Sequence, residues 1–187
     1  ECDGSRVKNP RHRAVVVAAG RGTGLTVKDM TAGVVYTFEG TVYYTSGGKS
    51  YKNGILLPAV QPHPHAPFEI AIPAHGVVHW RPYAEFLEML ERKLNEKGFA
   101  FNPRVYGATS IEVSYAAEGL MDGYIDIRKI LFDLYDIDSP RLPKVYDIAA
   151  PSVIARYAGM HVMNGYGSEL DYSVEDVQSP VSLIAVR

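Results

Sequence analysis

The sequence predicts a layered fold of mixed α-helices and β-strands. In the first third of the chain, short runs of β-branched and aromatic residues alternate with glycine turns, a pattern typical of strands and hairpins. In the rest of the chain, segments with one apolar helical face alternate with short apolar strands, which indicates helices packed on a sheet. Apolar residues make up 47% of the 187 residues, enough to fill the core that such layers require.

The N-terminal part is predicted to consist of strands. Residues 14–19 form a short apolar run typical of a buried strand. Residues 33–37 and 41–45 are rich in β-branched and aromatic side chains. Because only Phe38, Glu39 and Gly40 separate these two runs, we expect them to form a hairpin.

The chain is expected to divide into two subdomains near position 60. Its length corresponds to one domain or two small ones. Four prolines between positions 58 and 67 predict a linker. We therefore expect a strand-rich subdomain over residues 1–59 and an α/β subdomain over residues 60–187, in which residues 128–143 are of mixed character and form an excursion.

Three helices are predicted in the second subdomain. Residues 82–97 form the clearest one, and a second over residues 108–119 ends at Gly119. A third opens at Asp147, a favourable N-cap residue, and ends before Gly159. The apolar face of the first helix consists of Tyr83, Phe86, Leu87, Leu90 and Leu94. Strands are predicted at residues 68–72, 124–127, 160–163 and 181–186.

Composition excludes several classes of protein. The formal net charge is −2, whereas a general nucleic-acid binder normally carries a basic stripe, so no nucleic-acid partner is expected. The single cysteine, Cys2, cannot form an intramolecular disulfide or a cysteine-built zinc site. No apolar run is long enough to cross a membrane, so we expect no membrane partner and a cytoplasmic location.

Two short motifs are candidates for chemistry. Asp3-Gly4-Ser5 is by itself most simply a turn. Asp147 is most simply an N-cap, but a carboxylate at a positive helix N-terminus can also lie beside a phosphate or a metal ion. Hard cations such as Mg²⁺ prefer carboxylate oxygens and often bridge the protein to substrate phosphate.

A glycine-rich stretch, Gly20-Arg21-Gly22-Thr23-Gly24, follows the first predicted strand. This arrangement is similar to the phosphate loop of sugar nucleotidyltransferases. A phosphate loop opens onto a helix, whereas a hairpin follows here after about eight residues. We therefore favour a simple connection between strands over a nucleotide site.

Four stretches, taken in order, resemble the inositol monophosphatase superfamily, the Mg²⁺-dependent sugar and inositol phosphatases that include archaeal fructose-1,6-bisphosphatases. The matching stretches are Asp3-Gly4-Ser5; the hairpin from Gly33-Val34-Val35-Tyr36 to Asn53-Gly54; Arg104-Val105-Tyr106-Gly107-Ala108-Thr109 with Asp122-Gly123-Tyr124; and Tyr146-Asp147-Ile148-Ala149-Ala150 with Ala158-Gly159. Together the four stretches span nearly the whole chain, so the combined resemblance is stronger than the match of any single stretch.

The resemblance implies a fold and a set of site residues. The fold is the layered α/β/α/β/α sugar-phosphatase sandwich, of which this chain would form the C-terminal two-thirds, with residues 1–59 in the metal-site subdomain. By resemblance, Asp3, the Cys2 carbonyl and Asp147 would bind metal, and Asp3, Ser5 and Asp147 would act in catalysis. The residues implied in phosphate or substrate binding are Gly4, Ser5, Arg104, Gly107, Ala108, Thr109 and Lys144.

The resemblance also implies the reaction. The substrate would be an inositol phosphate or a sugar phosphate, a small phosphorylated sugar or polyol, with fructose-1,6-bisphosphate among the candidates. Two or three Mg²⁺ ions, with Mn²⁺ as an alternative, would activate the attacking water. Two metals about 4 Å apart can both activate water and stabilise the leaving alkoxide. Because family members are often dimers, a homodimer is a candidate assembly.

The departures from the family pattern define an alternative. Glu1 stands at the proline of the family's first metal motif, and the acidic loop and two helices that precede that motif in the family are not in this sequence. We therefore expect the chain to be N-terminally incomplete. The alternative hypothesis is a non-catalytic binding or assembly module derived from the same family.

Overall fold

The computed structural model describes residues 14–59, 67–73, 80–136 and 142–187. The first of its two sheets is an antiparallel meander in which each strand pairs with the next along the chain. Its strands are β1 (Ala14–Ala19), β2 (Ala32–Thr37), β3 (Val42–Ser46), β4 (Lys49–Lys52) and β5 (Ile55–Leu56). The predicted first strand and the predicted hairpin are confirmed as β1, β2 and β3. The expectation that the first strand is buried is wrong, because β1 alternates half-buried with exposed residues and Val15 and Val17 are exposed.

The second sheet mixes parallel and antiparallel pairs. Its strands are β6 (Phe68–Ala71), β7 (Phe101–Arg104), β8 (Gly123–Asp126), β9 (His161–Met163) and β10 (Leu183–Val186). Their order across the sheet is β7-β6-β8-β10-β9. Strand β6 is parallel to β7 and β8, whereas β10 is antiparallel to β8 and β9.

Four helices pack on these sheets, namely α1 (Trp80–Glu96), α2 (Thr109–Glu118), α3 (Arg128–Leu134) and α4 (Val145–Tyr157). One core cluster joins Val35 of the first sheet, Val113 of α2, Ile148 of α4 and Leu183 of the second sheet, which places α2 and α4 between the sheets. A second cluster packs α1 and α3 on the other face of the second sheet. The order of layers is therefore sheet, helices, sheet, helices, and the predicted layered mixed fold is confirmed.

The three predicted helices are present as α1, α2 and α4, but α4 begins earlier than expected. Its N-cap is Lys144, and Asp147 is the third helical residue rather than the N-cap. Gly119 ends α2 in the left-handed conformation, as its position predicted. Both α2 and α4 bury small side chains in the core, namely Ala116 and Ala117 of α2 and Ala150 and Ala155 of α4.

Strands β4, β5 and β7 and helix α3 were not among the predicted elements. The segment expected to be an excursion begins with α3, whose residue Arg128 is buried. Strand β7 contains Pro103, and it forms only because it lies at the edge of the sheet, where a missing N–H is tolerated. The boundary expected near position 60 falls beside residues 60–66, outside the described residues, and stays a prediction.

The outer face of the first sheet is apolar and exposed. Val15, Val17, Val34 and Tyr36 are between 37% and 58% exposed. Cross-strand pairs continue this face across the whole sheet, from Val17 and Val34 through Tyr44 and Tyr51 to Leu56. None of the described helices has the length and apolar character needed to cross a lipid bilayer.

Candidate active site

Four strands and two helices meet at one edge of the second sheet. The parallel strands β6, β7 and β8 all end there, and β10 begins there because Leu183 pairs with Asp126. Helix α2 follows β7 after a four-residue loop, so its N-terminus lies at the same edge. The N-terminus of α4 is held beside the start of β10, since the Val145 N–H donates to the Ser179 carbonyl at 3.3 Å. We call this region the carboxyl edge.

The carboxyl edge collects the predicted site residues that the structure describes. Arg104 ends β7, and Lys144 and Asp147 open α4. The remaining ones form the loop before α2 and its first residue: Gly107, Ala108 and Thr109. Neither N-cap side chain, Ala108 or Lys144, makes a capping hydrogen bond. Two helix N-termini with their partial positive charges therefore lie at one edge, which suits the binding of an anion.

Asp147 is held by the backbone of its own helix turn. Its Oδ2 accepts a hydrogen bond from the Lys144 backbone N–H at 2.9 Å. Burial raises the pKa of Asp147, while that hydrogen bond and the nearby Lys144 charge act in the opposite direction. The side chain is half-buried. A divalent cation would favour the ionised form of such a carboxylate, so the chemistry of Asp147 suits a metal ligand.

Arg104 is already paired within the chain. Its Nη2 donates to Glu69 Oε1 at 2.5 Å, and this hydrogen bond raises the pKa of Arg104 above its usual value. Both side chains are partly exposed. An anionic ligand that used Arg104 would therefore compete with the Glu69 carboxylate.

The loop between β7 and α2 is supported from below by Glu112 of α2. One carboxylate oxygen, Oε1, accepts hydrogen bonds from the backbone N–H groups of Tyr106 and Gly107, both at 2.8 Å. Gly107 has a φ of 94°, in the left-handed region that glycine adopts without strain. Glu112 is fully buried, and burial raises its pKa against the opposing effect of the two amides.

A polar cluster lies directly behind Thr109. The Thr109 and Tyr124 hydroxyls are 2.9 Å apart, and Tyr124 Oη donates to Asp126 Oδ2 at 3.3 Å. Asp126 also accepts two bonds from the Arg128 guanidinium, at 2.9 Å from Nε and 2.7 Å from Nη2. Burial raises the pKa of Tyr124 far above its ordinary value, so the phenol stays protonated as a donor. The cluster fixes the first residue of α2.

The remaining predicted ligands lie outside the described residues. These are Cys2, Asp3, Gly4 and Ser5, so their metal, catalytic and phosphate roles stay predictions. Within residues 14–59, 67–73, 80–136 and 142–187, no group of three or more His, Cys, Asp or Glu side chains is placed to hold a metal ion. Of the metal ligands that the resemblance implies, Asp147 lies within the described part of the chain, and its metal role stays a prediction.

The glycine-rich stretch after β1 is a bend rather than a phosphate loop. Residues 21–24 are followed by a short 3-10 turn, Val27–Asp29, and the chain then returns as β2 antiparallel to β1. A nucleotide loop would need a helix N-terminus at Gly22–Gly24. The structure therefore removes the nucleotidyltransferase alternative.

The sequence prediction missed Glu112, Asp126 and Arg128. Glu112 and Asp126 are charged side chains inside otherwise apolar predicted elements, and Arg128 directly follows the second of these elements. Charged residues are almost never fully buried unless they are paired, so an acidic residue within the run from Ile111 to Ala117 was a usable signal. What the local pattern could not show is which groups these side chains pair with.

Comparison with known proteins shows a family and several solved structures to which this chain is similar. A model of the inositol monophosphatase family matches residues 23–181. The chain is 33% identical over 70 residues to the fructose-1,6-bisphosphatase of Pyrococcus furiosus, covering 37% of this chain and 23% of that protein. It is 32% identical over 82 residues to the fructose-1,6-bisphosphatase/inositol-1-monophosphatase of Methanothermobacter thermautotrophicus, covering 44% of this chain and 25% of that protein.

Solved structures show the same fold. Staphylococcal inositol monophosphatase II bound to inositol monophosphate superposes with a TM-score of 0.65 at 19% identity, covering 93% of this chain and 57% of the other. The inositol monophosphatase of Thermotoga maritima gives a TM-score of 0.61 at 17% identity, covering 92% and 55%. The chain thus spans about a quarter of the archaeal relatives and little more than half of these structures.

Proposed function

Because this chain belongs to the inositol monophosphatase family, we propose that it serves a metal-dependent phosphomonoesterase that hydrolyses an inositol phosphate or a sugar phosphate. The observation that carries the proposal is the carboxyl edge, which holds the N-termini of α2 and α4, with Asp147 in the first turn of α4. This edge combines positive potential for phosphoryl oxygens with an oxygen ligand for a hard cation.

The two helix N-termini are proposed to bind the phosphoryl group. Backbone N–H groups at a helix start are fixed in direction before the ligand arrives, so they stabilise charge on phosphate oxygens without reorganising. Ala108 and Thr109 would supply this surface from α2, and the Gly4 and Ser5 amides would add to it. Gly107 would shape the turn beside the phosphoryl group, since its own N–H donates to Glu112 Oε1. Arg104 and Lys144 would contact further anionic groups of the substrate.

Asp147 is proposed to hold metal, together with Asp3 and the Cys2 carbonyl. When bound, Mg²⁺ or Mn²⁺ would supply charge neutralisation and a more acidic water. The protein's own part is to keep the Asp147 carboxylate aimed from the first turn of α4, which its bond to the Lys144 N–H does. Ser5 would orient the attacking water.

The relatives narrow the substrate class. Proteins similar to this chain include archaeal fructose-1,6-bisphosphatases and a staphylococcal structure bound to inositol monophosphate. A phosphorylated sugar or polyol is therefore the substrate that we propose, with fructose-1,6-bisphosphate and inositol 1-phosphate as the first two compounds to assay. A homodimer is the assembly that we propose to test.

The deciding experiment measures phosphate release by the full-length gene product, with and without Mg²⁺. The Asp147→Asn variant is expected to lower kcat/KM by about a hundredfold or more, because a lost metal ligand removes several kcal/mol of transition-state stabilisation. Asp171→Asn is the matched control, since Asp171 is an exposed carboxylate outside the carboxyl edge. Undiminished turnover in Asp147→Asn would contradict the site assignment. Absence of Mg²⁺ binding by calorimetry would favour the alternative of a non-catalytic binding module.

A further inference from the structure

We propose that Glu112 is a positioning residue that sets the shape of the substrate-binding loop through its backbone. This inference rests on the proposed function, because it assigns the loop of residues 104–109 to substrate binding. Nothing in the chemistry requires Glu112 to touch the substrate, since it lies beneath the loop and is fully buried.

Glu112 holds the loop from two directions. Its side-chain Oε1 accepts from the consecutive N–H groups of Tyr106 and Gly107, both at 2.8 Å. Its own backbone N–H donates to the Ala108 carbonyl at 2.9 Å. One residue thus ties down three successive loop residues, and it does so from the first turn of α2.

The bonds fix the part of the loop that the flanking contacts leave unsupported. At one end Arg104 is paired with Glu69, and at the other Thr109 contacts Tyr124. Between them lies Gly107, whose φ of 94° gives the chain its sharp turn into α2. Glycine has the largest conformational freedom of any residue, so this turn needs an external contact to keep one geometry. Glu112 supplies that contact.

Stability alone does not account for a carboxylate at this position. Its second oxygen, Glu112 Oε2, is buried and accepts no hydrogen bond from the described residues. A buried carboxylate with an oxygen left unpaired is unfavourable for folding. In return, an ionised acceptor makes stronger hydrogen bonds to backbone N–H groups than a neutral one does. The Glu112 carboxylate thus lowers the stability of the fold but holds the loop firmly in one geometry.

The surrounding charges are consistent with this role. Asp126 and Arg128 are the charged groups that act on Glu112, and they form a buried ion pair with each other. Their effects on Glu112 oppose one another, because the carboxylate raises its pKa and the guanidinium lowers it. Neither one pairs directly with Glu112, so the loop amides are its hydrogen-bonding partners in the described structure.

The test compares three variants of the full-length gene product. Glu112→Leu removes the acceptor while keeping an apolar-compatible shape, whereas Glu112→Gln keeps an oxygen at the same reach. Ser114→Ala is the matched control, because Ser114 is buried on the same helix and its hydroxyl donates to the Ser110 carbonyl rather than to the loop. Substrate would be fructose-1,6-bisphosphate or inositol 1-phosphate, whichever the wild type hydrolyses.

The KM values of the variants are expected to depend on whether residue 112 still carries a hydrogen-bond acceptor. Glu112→Leu should raise KM by about tenfold with a smaller change in kcat. A displaced loop weakens the binding of the substrate and of the transition state by similar amounts, and such a uniform loss raises KM. Glu112→Gln should restore most of that loss, and Ser114→Ala should leave KM unchanged. Equal KM values in Glu112→Leu and the wild type would overturn the proposal.

A second readout does not depend on turnover. The Gly107 amide proton, which donates to a carboxylate, should resonate downfield in the NMR spectrum and move upfield in Glu112→Leu but not in Ser114→Ala. Affinity for inorganic phosphate, measured by calorimetry, should fall in Glu112→Leu alone. An inactive wild type would reject the phosphatase function, while an unmoved Gly107 signal and unchanged phosphate affinity would reject the role of Glu112.

Discussion

A Cβ atom on Gly33 would lie 2.5 Å from the backbone carbonyl oxygen of Ala150, so β2 and α4 touch backbone to backbone. This contact lies one turn from Asp147, and it fixes how deeply α4 sits on the first sheet. The position of a candidate metal ligand therefore depends on the absence of a side chain on a strand of the other layer.

The first prediction concerns that contact. Gly33→Ala should destabilise the protein by about 1–3 kcal/mol, because a carbonyl oxygen in a helix cannot rotate away from an added methyl group. Urea denaturation measures the change, and Mg²⁺ affinity should fall with it as α4 shifts. Ala19→Ser, which adds one atom to an exposed position on neighbouring β1, should change stability by less than about 0.5 kcal/mol. Equal stability of Gly33→Ala and the wild type would show that α4 is free to move.

The second prediction follows from the pKa of Asp147. Burial raises this pKa above the ordinary aspartate value of 3.8, so the folded state binds the proton more tightly than the unfolded state. The stabilising effect of protonation is fully present below about pH 3.8 and is lost as pH rises through the raised pKa.

Asp147→Asn should therefore be at least as stable as the wild type at neutral pH without metal, since its amide oxygen can still accept from Lys144. The advantage of the variant should shrink as pH falls below the raised pKa. Thermal unfolding in EDTA across that range measures it. A variant less stable than the wild type at neutral pH would mean that the ionised carboxylate is already well stabilised by the protein.

The third prediction concerns the buried pair of Asp126 and Arg128, whose side chains are 0% and 2% exposed. Arg128→Met should cost about 3–5 kcal/mol, because it leaves a buried carboxylate without its partner. The double variant Asp126→Asn with Arg128→Met should recover part of that loss, since no unpaired charge then remains. A double-mutant cycle from urea unfolding gives the coupling energy. Additive losses would show that the two groups are energetically independent.

The fourth prediction is the pH dependence of Glu112. Burial raises its pKa above the ordinary value of 4.5, so wild-type stability should fall as pH rises through the raised value. Glu112→Gln removes this titration, and its stability should vary less with pH in the same window. The measurement is urea unfolding of both proteins at several pH values, with Glu85→Gln, an exposed carboxylate on α1, as the control. Parallel pH profiles for Glu112→Gln and the wild type would contradict the raised pKa.

Local pattern was sufficient to predict most of the fold. Helix α1 shows the regular spacing of Tyr83, Phe86 and Leu90, and the hairpin of β2 and β3 shows β-branched runs around a short turn. Strand β7 was missed because its proline argues against a strand, and only its edge position makes it tolerable. The start of α4 was misplaced because an N-cap is defined by backbone angles, which Lys144 adopts and Asp147 does not.

The candidate site was harder to predict from local sequence pattern than the fold. Arg104, Gly107 and Asp147 were identified through a resemblance of short motifs, and the structure brings them to one sheet edge. Glu112 was missed because its partners are defined by a turn in space. Arg104 likewise pairs with Glu69, 35 residues away in the chain. The sequence near either residue does not indicate this pairing.

The exposed face of the first sheet also carries an optical signal. On that face the rings of Tyr44 and Tyr51 stack with their centroids 5.2 Å apart and their planes inclined by 14°. Two aromatic rings so close and so nearly parallel couple their electronic transitions, and the coupling vanishes when the strands separate. This coupling therefore contributes to the near-ultraviolet circular dichroism of the folded protein, and it is lost when β3 separates from β4.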